Sequence, residues 1–392
     1  MNPVVRQFRD FFVSLQLTVW LLVLSLVLVF WATLAQVNLG IWGVQEKFFR
    51  SFFVMWRVPG SAVVIPVFPG GYFIGGLLLI NLIAAHVYRF AFTFKKLGIQ
   101  LAHAGLILLL LGELLTGILQ RDSVMQLHEG TTKNYAESFR DYELVLIDHT
   151  NPAYDEVVAI PDAALSDPHP IQHPKLPFLV RVAEFYPNAT LAPRDQNSPP
   201  VAPGTTGPAS RFVLQPLPLS YKENEPNLPG ARVELTGTAG PLGTWLVSPQ
   251  INLPQTFTVD GHPWSVALRV RRYYQPFSVS LLKVTHEVYP GTDIPKNFAS
   301  RVRVKSDDGH EDRETTIFMN NPLRFGGLTF YQYQMDAASQ MSAFQVVRNP
   351  SWALPYIACV MMGLGLIIQF GQSLLGFIRK RAVTATVARN PT

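Results

Sequence analysis

A single cysteine, Cys359, is all the thiol this chain of 392 residues carries, and it lies inside the last apolar run. That excludes an intramolecular disulfide, and no Cys-x-x-Cys exists for thiol redox chemistry or for covalent haem attachment to this chain. Charge is also scarce. Only 15% of the residues are Asp, Glu, Lys or Arg, against about 25% in ordinary soluble domains. With 48% apolar residues, this shortage points to membrane spans plus one folded domain, not to several soluble domains. The net charge of +5 is small, and the Lys and Arg residues cluster beside the apolar runs. No nucleic-acid partner is expected, because one would call for a basic stripe across a folded surface. No serine, cysteine or paired-carboxylate constellation of a catalytic kind is recognisable between residues 120 and 351, and no internal repeat is found.

Four runs reach the length of about 20 residues that a bilayer crossing needs. They cover about 17–37, 72–92, 99–119 and 352–371. Arg6 and Arg9 precede the first, as in a signal peptide. Its apolar stretch exceeds the usual 7–15 residues and more spans follow, so it reads as retained. Arg89, Lys95 and Lys96 in the second connection, and Arg379, Lys380, Arg381 and Arg389 in the tail, have no acid among them. By the positive-inside rule both termini are cytoplasmic, and residues 120–351 form an extracytoplasmic domain between the third and fourth helices. Lys47, Arg50 and Arg57 in the first connection weaken that bias without reversing it. The expected protein is thus a multi-pass α-helical membrane protein: residues 1–119, the external 120–351, then 352–392.

Residues 44–57 mix Phe48, Phe49, Phe52, Phe53, Met55 and Trp56 with Glu46, Lys47, Arg50 and Arg57. This predicts an amphipathic helix of about three turns lying on membrane lipid, or one seated in a partner's groove. The external segment reads as all-β. Period-two runs at 142–147, 178–186, 264–274 and 277–288 are followed by more at 300–305, 313–319, 328–334 and 342–348. Asp307-Asp308-Gly309-His310 is a hairpin-turn sequence. The Pro-rich stretch 187–229 reads as a long loop. The remaining length suits one sandwich-like core or two small ones.

Histidines are the residues here that could carry chemistry. His169 and His173 have i, i+4 spacing, but Pro168, Pro170 and Pro174 rule out a regular helix and argue against a metal pair. His128, His149, His262, His286 and His310 read as ordinary surface or sheet residues. His86, near the end of the second span, and His103, near the start of the third, are different. An ionisable group inside a bilayer is costly enough to suggest function, and neutral imidazole is a common haem axial ligand. Small neighbours, Ala102, Ala104 and Gly105, would let a flat macrocycle approach His103. Gly98, Gly105 and Gly112 recur every seven residues as a packing stripe that leaves His103 on another face. The competing explanation is an interhelical hydrogen bond that only fixes packing. Asn81 and Glu113 read as hydrogen-bonding or packing groups.

Three features resemble the ResB (CcsB) family of system II cytochrome c biogenesis proteins. One is the order of three spans, a large external domain, a fourth span and a basic tail. Another is the run Leu101-Ala-His103-Ala-Gly105-Leu-Ile-Leu-Leu-Leu-Leu-Gly112. The third begins at Phe277-Ser-Val-Ser-Leu and Tyr289-Pro-Gly. It continues with Pro295 and Phe298 and ends in Asn321-Pro-Leu-Arg-Phe-Gly-Gly-Leu-Thr-Phe-Tyr-Gln332. The resemblance covers most of the chain and is weakest over 150–265. It implies a protein that handles haem b as transient cargo beside a CcsA or ResC-type membrane partner, for attachment to apocytochrome c. His103 would be one axial ligand, with the other on the partner, and His86 a further candidate. Without the partner's tryptophan-rich segment, this chain is not expected to carry out ligation alone. Two other classes stay open. A b-type electron-transfer subunit would want two histidine pairs across the bilayer, and a haem-free assembly scaffold would want none.

Overall fold

The computed structural model describes residues 3–389 apart from 59, 62, 90–92, 196–197, 199, 201–204, 206, 222–224, 292–294, 337 and 339. The chain divides into a helical unit (1–120, 221–223 and 349–392) and a β-rich unit (121–220 and 224–348).

In the helical unit, α1 (Pro3–Phe12) leads into α2 (Leu15–Val44), which Ser14 caps by accepting the Gln16 amide at 3.2 Å. Gly40, at φ 68°, breaks the helix locally. A π-helical turn, Gln45–Phe49, then leads to a hairpin of β1 (Phe53–Arg57) and β2 (Val64–Pro69). The amphipathic helix predicted over residues 44–57 is therefore corrected: only its start is helical, and Phe53–Arg57 is a strand. Branched and aromatic residues on both arms satisfy each other's backbone groups across the hairpin better than a lone short helix could. Helix α3 (Gly71–Arg89) packs on α2 around Leu21, Leu28, Ala32, Val44, Phe48 and Ile74. Asn81 of α3 is buried. Its Nδ2 donates to the Phe12 and Ser14 carbonyls at 2.7 and 3.2 Å, and its Oδ1 accepts from Thr18 Oγ1 at 2.6 Å. It thereby ties α3 to the α1–α2 junction, a hydrogen-bonding role.

Helix α4 (Leu97–Leu119) is separated from α3 by a short connection, so the two run in opposite senses. The second expected span ended at residue 92, and its last residues, 90–92, lie outside the described ones. Among the described residues, four helices are long and apolar enough to cross a membrane: those of residues 15–49, 71–88, 94–119 and 354–381. Their outward faces are apolar, with Leu26 71% and Ile367 70% exposed, as helices that meet lipid must be.

The β-rich unit contains β3 (Arg121–His128), β4 (Thr132–Asp148), β5 (Glu156–Pro161), β6 (Phe178–Tyr186), β7 (Ala189–Pro193) and the one-turn helix α5 (Pro208–Arg211). Next come β8 (Phe212–Pro216), β9 (Gly230–Gly237), β10 (Gly240–Val247), β11 (Gln255–Val259) and β12 (His262–Val288). The series closes with β13 (Pro295–Ser306), β14 (Asp312–Phe318), β15 (Leu323–Phe325), β16 (Leu328–Asp336) and β17 (Met341–Arg348), followed by the last helix, α6 (Leu354–Arg389). One antiparallel sheet runs β14-β13-β12-β4-β3-β17-β16-β15, with β5 on β4 and β11 on β12; β10-β9-β6 and β7-β8 form smaller sheets. The long strands β4 and β12 serve two cores. Their first lobe packs Leu144, Leu146 and Val266 against Val180 and Val233 of the three-stranded sheet, a sandwich. In the second lobe Met125, Leu127, Phe277, Val279, Val302, Phe330 and Phe344 fill the curl of the large sheet. The stretch 187–229, read as a loop, contains the β7–β8 hairpin and α5 among its described residues.

Candidate functional site

The glycine stripe sets which way α4 faces. A Cβ on Gly98 would come within 2.7 Å of Gly365 O and Gln369 N, one on Gly105 within 2.9 Å of Ala358 O, and one on Gly112 3.0 Å from Leu354 Cβ. From the other side, a Cβ on Gly365 would sit 2.6 Å from Ala102 N. Only hydrogen at these positions lets the backbones of α4 and α6 approach so closely. The ends of this pair are fastened by Thr116 Oγ1 to Ser351 Oγ at 3.0 Å and by Gln372 Nε2 donating to Phe94 O at 3.1 Å.

His103 lies away from that seam, part-buried, with Nδ1 2.8 Å from the Ile99 carbonyl one turn back. A carbonyl oxygen can only accept, so Nδ1 carries the proton and the ring lone pair lies on Nε2. Metal-ligating imidazoles are commonly oriented in this way, by donating the other ring N–H to a backbone carbonyl. The small neighbours do not form the open cradle that the sequence suggested. Gly105 faces Ala358 and Met362, and Ala102 faces Gly365, so α6 occupies the space that a macrocycle would have used there. Side chains on the remaining sector are larger: Leu106 and Leu114 are exposed, as is Glu113.

His86 is three residues from the end of α3 and half-buried; His103 is six residues into α4. At about 1.5 Å of rise per residue, both fall within two turns of the same end of their antiparallel helices. Buried Gln100, one turn before Ala104 on α4, is a further polar group in that region to which the sequence assigned no role.

Five of the other histidines have structural partners. His149 bridges Asp155 at 2.7 Å and Ser265 at 2.9 Å, His262 meets Thr150 at 3.0 Å, and His286 stacks on Phe298. His169 pairs with Asp167. His173 accepts the Lys175 amide through Nδ1 beside an open groove of about 590 Å³. Among the described residues no group of three or more His, Cys, Asp or Glu side chains could hold a metal ion.

The Asn321–Gln332 signature folds as a tight hairpin. Phe325 pairs with Leu328 across Gly326 and Gly327, whose φ angles of 57° and 73° suit the two-residue turn that matches strand twist. A Cβ on Gly326 would meet Phe277 Cε1 at 2.6 Å, and the Phe277 ring is packed edge-on against Phe325 with centroids 4.8 Å apart. Downstream, Gln332 accepts from Ser300 Oγ at 2.7 Å and donates to Ser342 Oγ at 2.8 Å. Both serines are fully buried, so the glutamine satisfies two strands at once.

Residues 255–339, from β11 through β16, match the model of the ResB-like family. Protein NrfI of Wolinella succinogenes is 32% identical over 92 residues, 24% of this chain and 10% of that protein. The cytochrome c biogenesis protein CcsB of Synechococcus elongatus is 32% identical over 120 residues, 30% of this chain and 25% of that protein. The matches thus span between a tenth and a quarter of the length of these curated relatives. Over this segment, the resemblance to the ResB family is borne out.

Proposed function

We propose that this chain, ResB-like over residues 255–339, is a membrane component of a cytochrome c maturation system. The name of the CcsB relative, a cytochrome c biogenesis protein, supports that role in its broad form. In the finer form, the chain handles haem as cargo together with a CcsA or ResC-type membrane protein and helps deliver it to apocytochrome c. The four apolar helices would lie in the bacterial cytoplasmic membrane with both termini inside and the β-rich unit outside.

One observation carries the haem-handling part: the hydrogen bond from His103 Nδ1 to Ile99 O. It assigns the lone pair to Nε2 and orients the ring through the helix itself, the way imidazoles that ligate metals are commonly oriented. The seam between α4 and α6 keeps that ring on a face separate from the packing stripe. His86, at the same end of the neighbouring helix, is the second residue of this chain placed to assist. The thiols that receive haem must belong to the substrate, since Cys359 is the chain's sole cysteine, and the second iron ligand is assigned to the partner.

The test is a visible spectrum with a haem assay on the purified complex, comparing the native chain with His103→Gly, with and without added imidazole. Loss of the haem signal in the variant and its return with imidazole is the expected result. An unchanged spectrum in His103→Gly overturns the assignment of His103, and absence of haem from both supports a scaffold.

A further inference from the structure

An arginine group at the ends of β3 and β17 has no part in the role proposed above. Arg121 opens β3, Arg348 closes β17, and the register sets them directly opposite each other. Each continues a row of residues buried in or beside the second core: Ser123, Met125 and Leu127 on β3, Val346 and Phe344 on β17. Like charges directly opposite in an antiparallel pair destabilise it. A third guanidinium, Arg271, stands close by. Burial, with Arg348 and Arg271 beside it, holds the Arg121 pKa below its ordinary value against the opposing pull of Tyr273. The Tyr273 ring supports two of the three charges: the guanidinium carbons of Arg121 and Arg271 lie 4.0 and 5.4 Å from its centroid. Asp141 is the carboxylate at this ring. It is engaged by Tyr273 Oη at 3.3 Å and Ser138 Oγ at 3.1 Å, and among the described residues none of the three arginines forms an ion pair.

Such an arrangement costs stability in the absence of a counter-ion and gains it in the presence of one. Arg121 follows Leu119, the last residue of α4, by two positions, which limits their separation to about 7 Å. If α4 spans the membrane, Arg121 and its cross-strand neighbour therefore lie at the depth of the lipid headgroups. Arginine forks match phosphate oxygens in pairs of parallel hydrogen bonds.

We propose that Arg121 and Arg271, stacked on Tyr273, together with Arg348 opposite Arg121, form a binding site for the phosphate of an anionic membrane lipid at the end of α4. The site rests on α4 being a span and is independent of the haem assignment.

The test uses the full chain in nanodiscs of phosphatidylcholine, alone or with phosphatidylglycerol, and compares Arg348→Gln with Arg303→Gln. Arg303 is exposed and paired with Asp312 on another strand, so its variant should keep the full rise in thermal midpoint that phosphatidylglycerol gives the native chain. Arg348→Gln should lose most of that rise. In phosphatidylcholine alone it should melt at the native midpoint or above, because the facing repulsion has been removed. A variant that melts lower by the same amount in both lipids, or keeps the full rise, overturns the site. A third arm adds haemin in phosphatidylcholine. If Arg348→Gln lowers haemin binding while its lipid response stays native, the anion is a haem propionate and the lipid assignment falls.

Discussion

Adding one methyl group at Gly326 tests whether the ResB-like hairpin depends on its contact with Phe277. Two costs meet at that position. At φ 57° an L side chain costs roughly 1–2 kcal/mol. The new Cβ also falls 2.6 Å from Cε1 of a ring that is 2% exposed and held by Phe325 and Phe330, and overpacking of this kind costs about 1–3 kcal/mol. Gly327 is the internal control. Its φ is 73°, but a Cβ there meets nothing within 4 Å, so only the backbone cost of about 1–2 kcal/mol applies. Hydrogen exchange of the full chain in detergent reads the difference at the amides of β15 and β16. Gly326→Ala should speed exchange by about 30-fold or more, and Gly327→Ala by about 5- to 30-fold. Shortening the ring with Phe277→Leu should reduce the effect of Gly326→Ala and leave that of Gly327→Ala unchanged. If Gly326→Ala costs no more protection than Gly327→Ala, the close approach to Phe277 is not what makes glycine necessary there.

The α4–α6 seam predicts an equally sharp contrast. Gly365→Ala would press on Ala102 N and Gly98 O, backbone atoms that cannot step aside without moving a helix, and should lower the thermal midpoint through a cost of about 1–3 kcal/mol. Gly363→Ala, where nothing lies within 4 Å, should be neutral or stabilise by up to about 1 kcal/mol; equal midpoints for the two variants would refute the seam. In alkali the first core should loosen around Tyr142, whose pKa burial pushes up, with Asp162 acting in the same direction. Because the folded state holds that proton more tightly, its contribution is intact below the ordinary tyrosine value of about 10 and is lost as pH rises through the folded value. Tyr142→Phe should retain near-UV circular dichroism further into alkali than the native chain. The shift will be partial, since burial also raises Tyr135 and Tyr273; no shift would remove Tyr142 from the account.

The apolar helices were legible from run length alone, because a bilayer crossing requires uninterrupted apolarity and little else. Their ends were less so. The continuation of α6 to Arg389 follows from the absence of a helix breaker in the basic tail, which hydropathy does not register. The β1–β2 hairpin was misread because residues 44–57 fit a helical pattern, although Pro59-Gly60 stood in the sequence as a turn signal. Strand β10 escaped notice because Gly240, Pro241 and Gly243 interrupt the alternation that marks a strand, whereas β9 went unread although Ala231, Val233 and Leu235 alternate with Arg232, Glu234 and Thr236.

Helix α4 separates what a sequence can state from what only packing decides. The seven-residue glycine period predicts a close helix neighbour on one face and frees another for His103, and both statements need nothing beyond 100° per residue. Which helix fills the seam is a matter of long-range contact. Once Gly365 of α6 fills it, Ala102 and Gly105 are no longer available to a ligand. The same small residues that suggested an approach path to His103 are thus accounted for by packing, and the chemical case for His103 passes from its neighbours' size to its own tautomer. The tautomer is set by a carbonyl of the same helix. In the proposed reading no partner is needed to orient this ring, and a partner would have only the second ligand to supply.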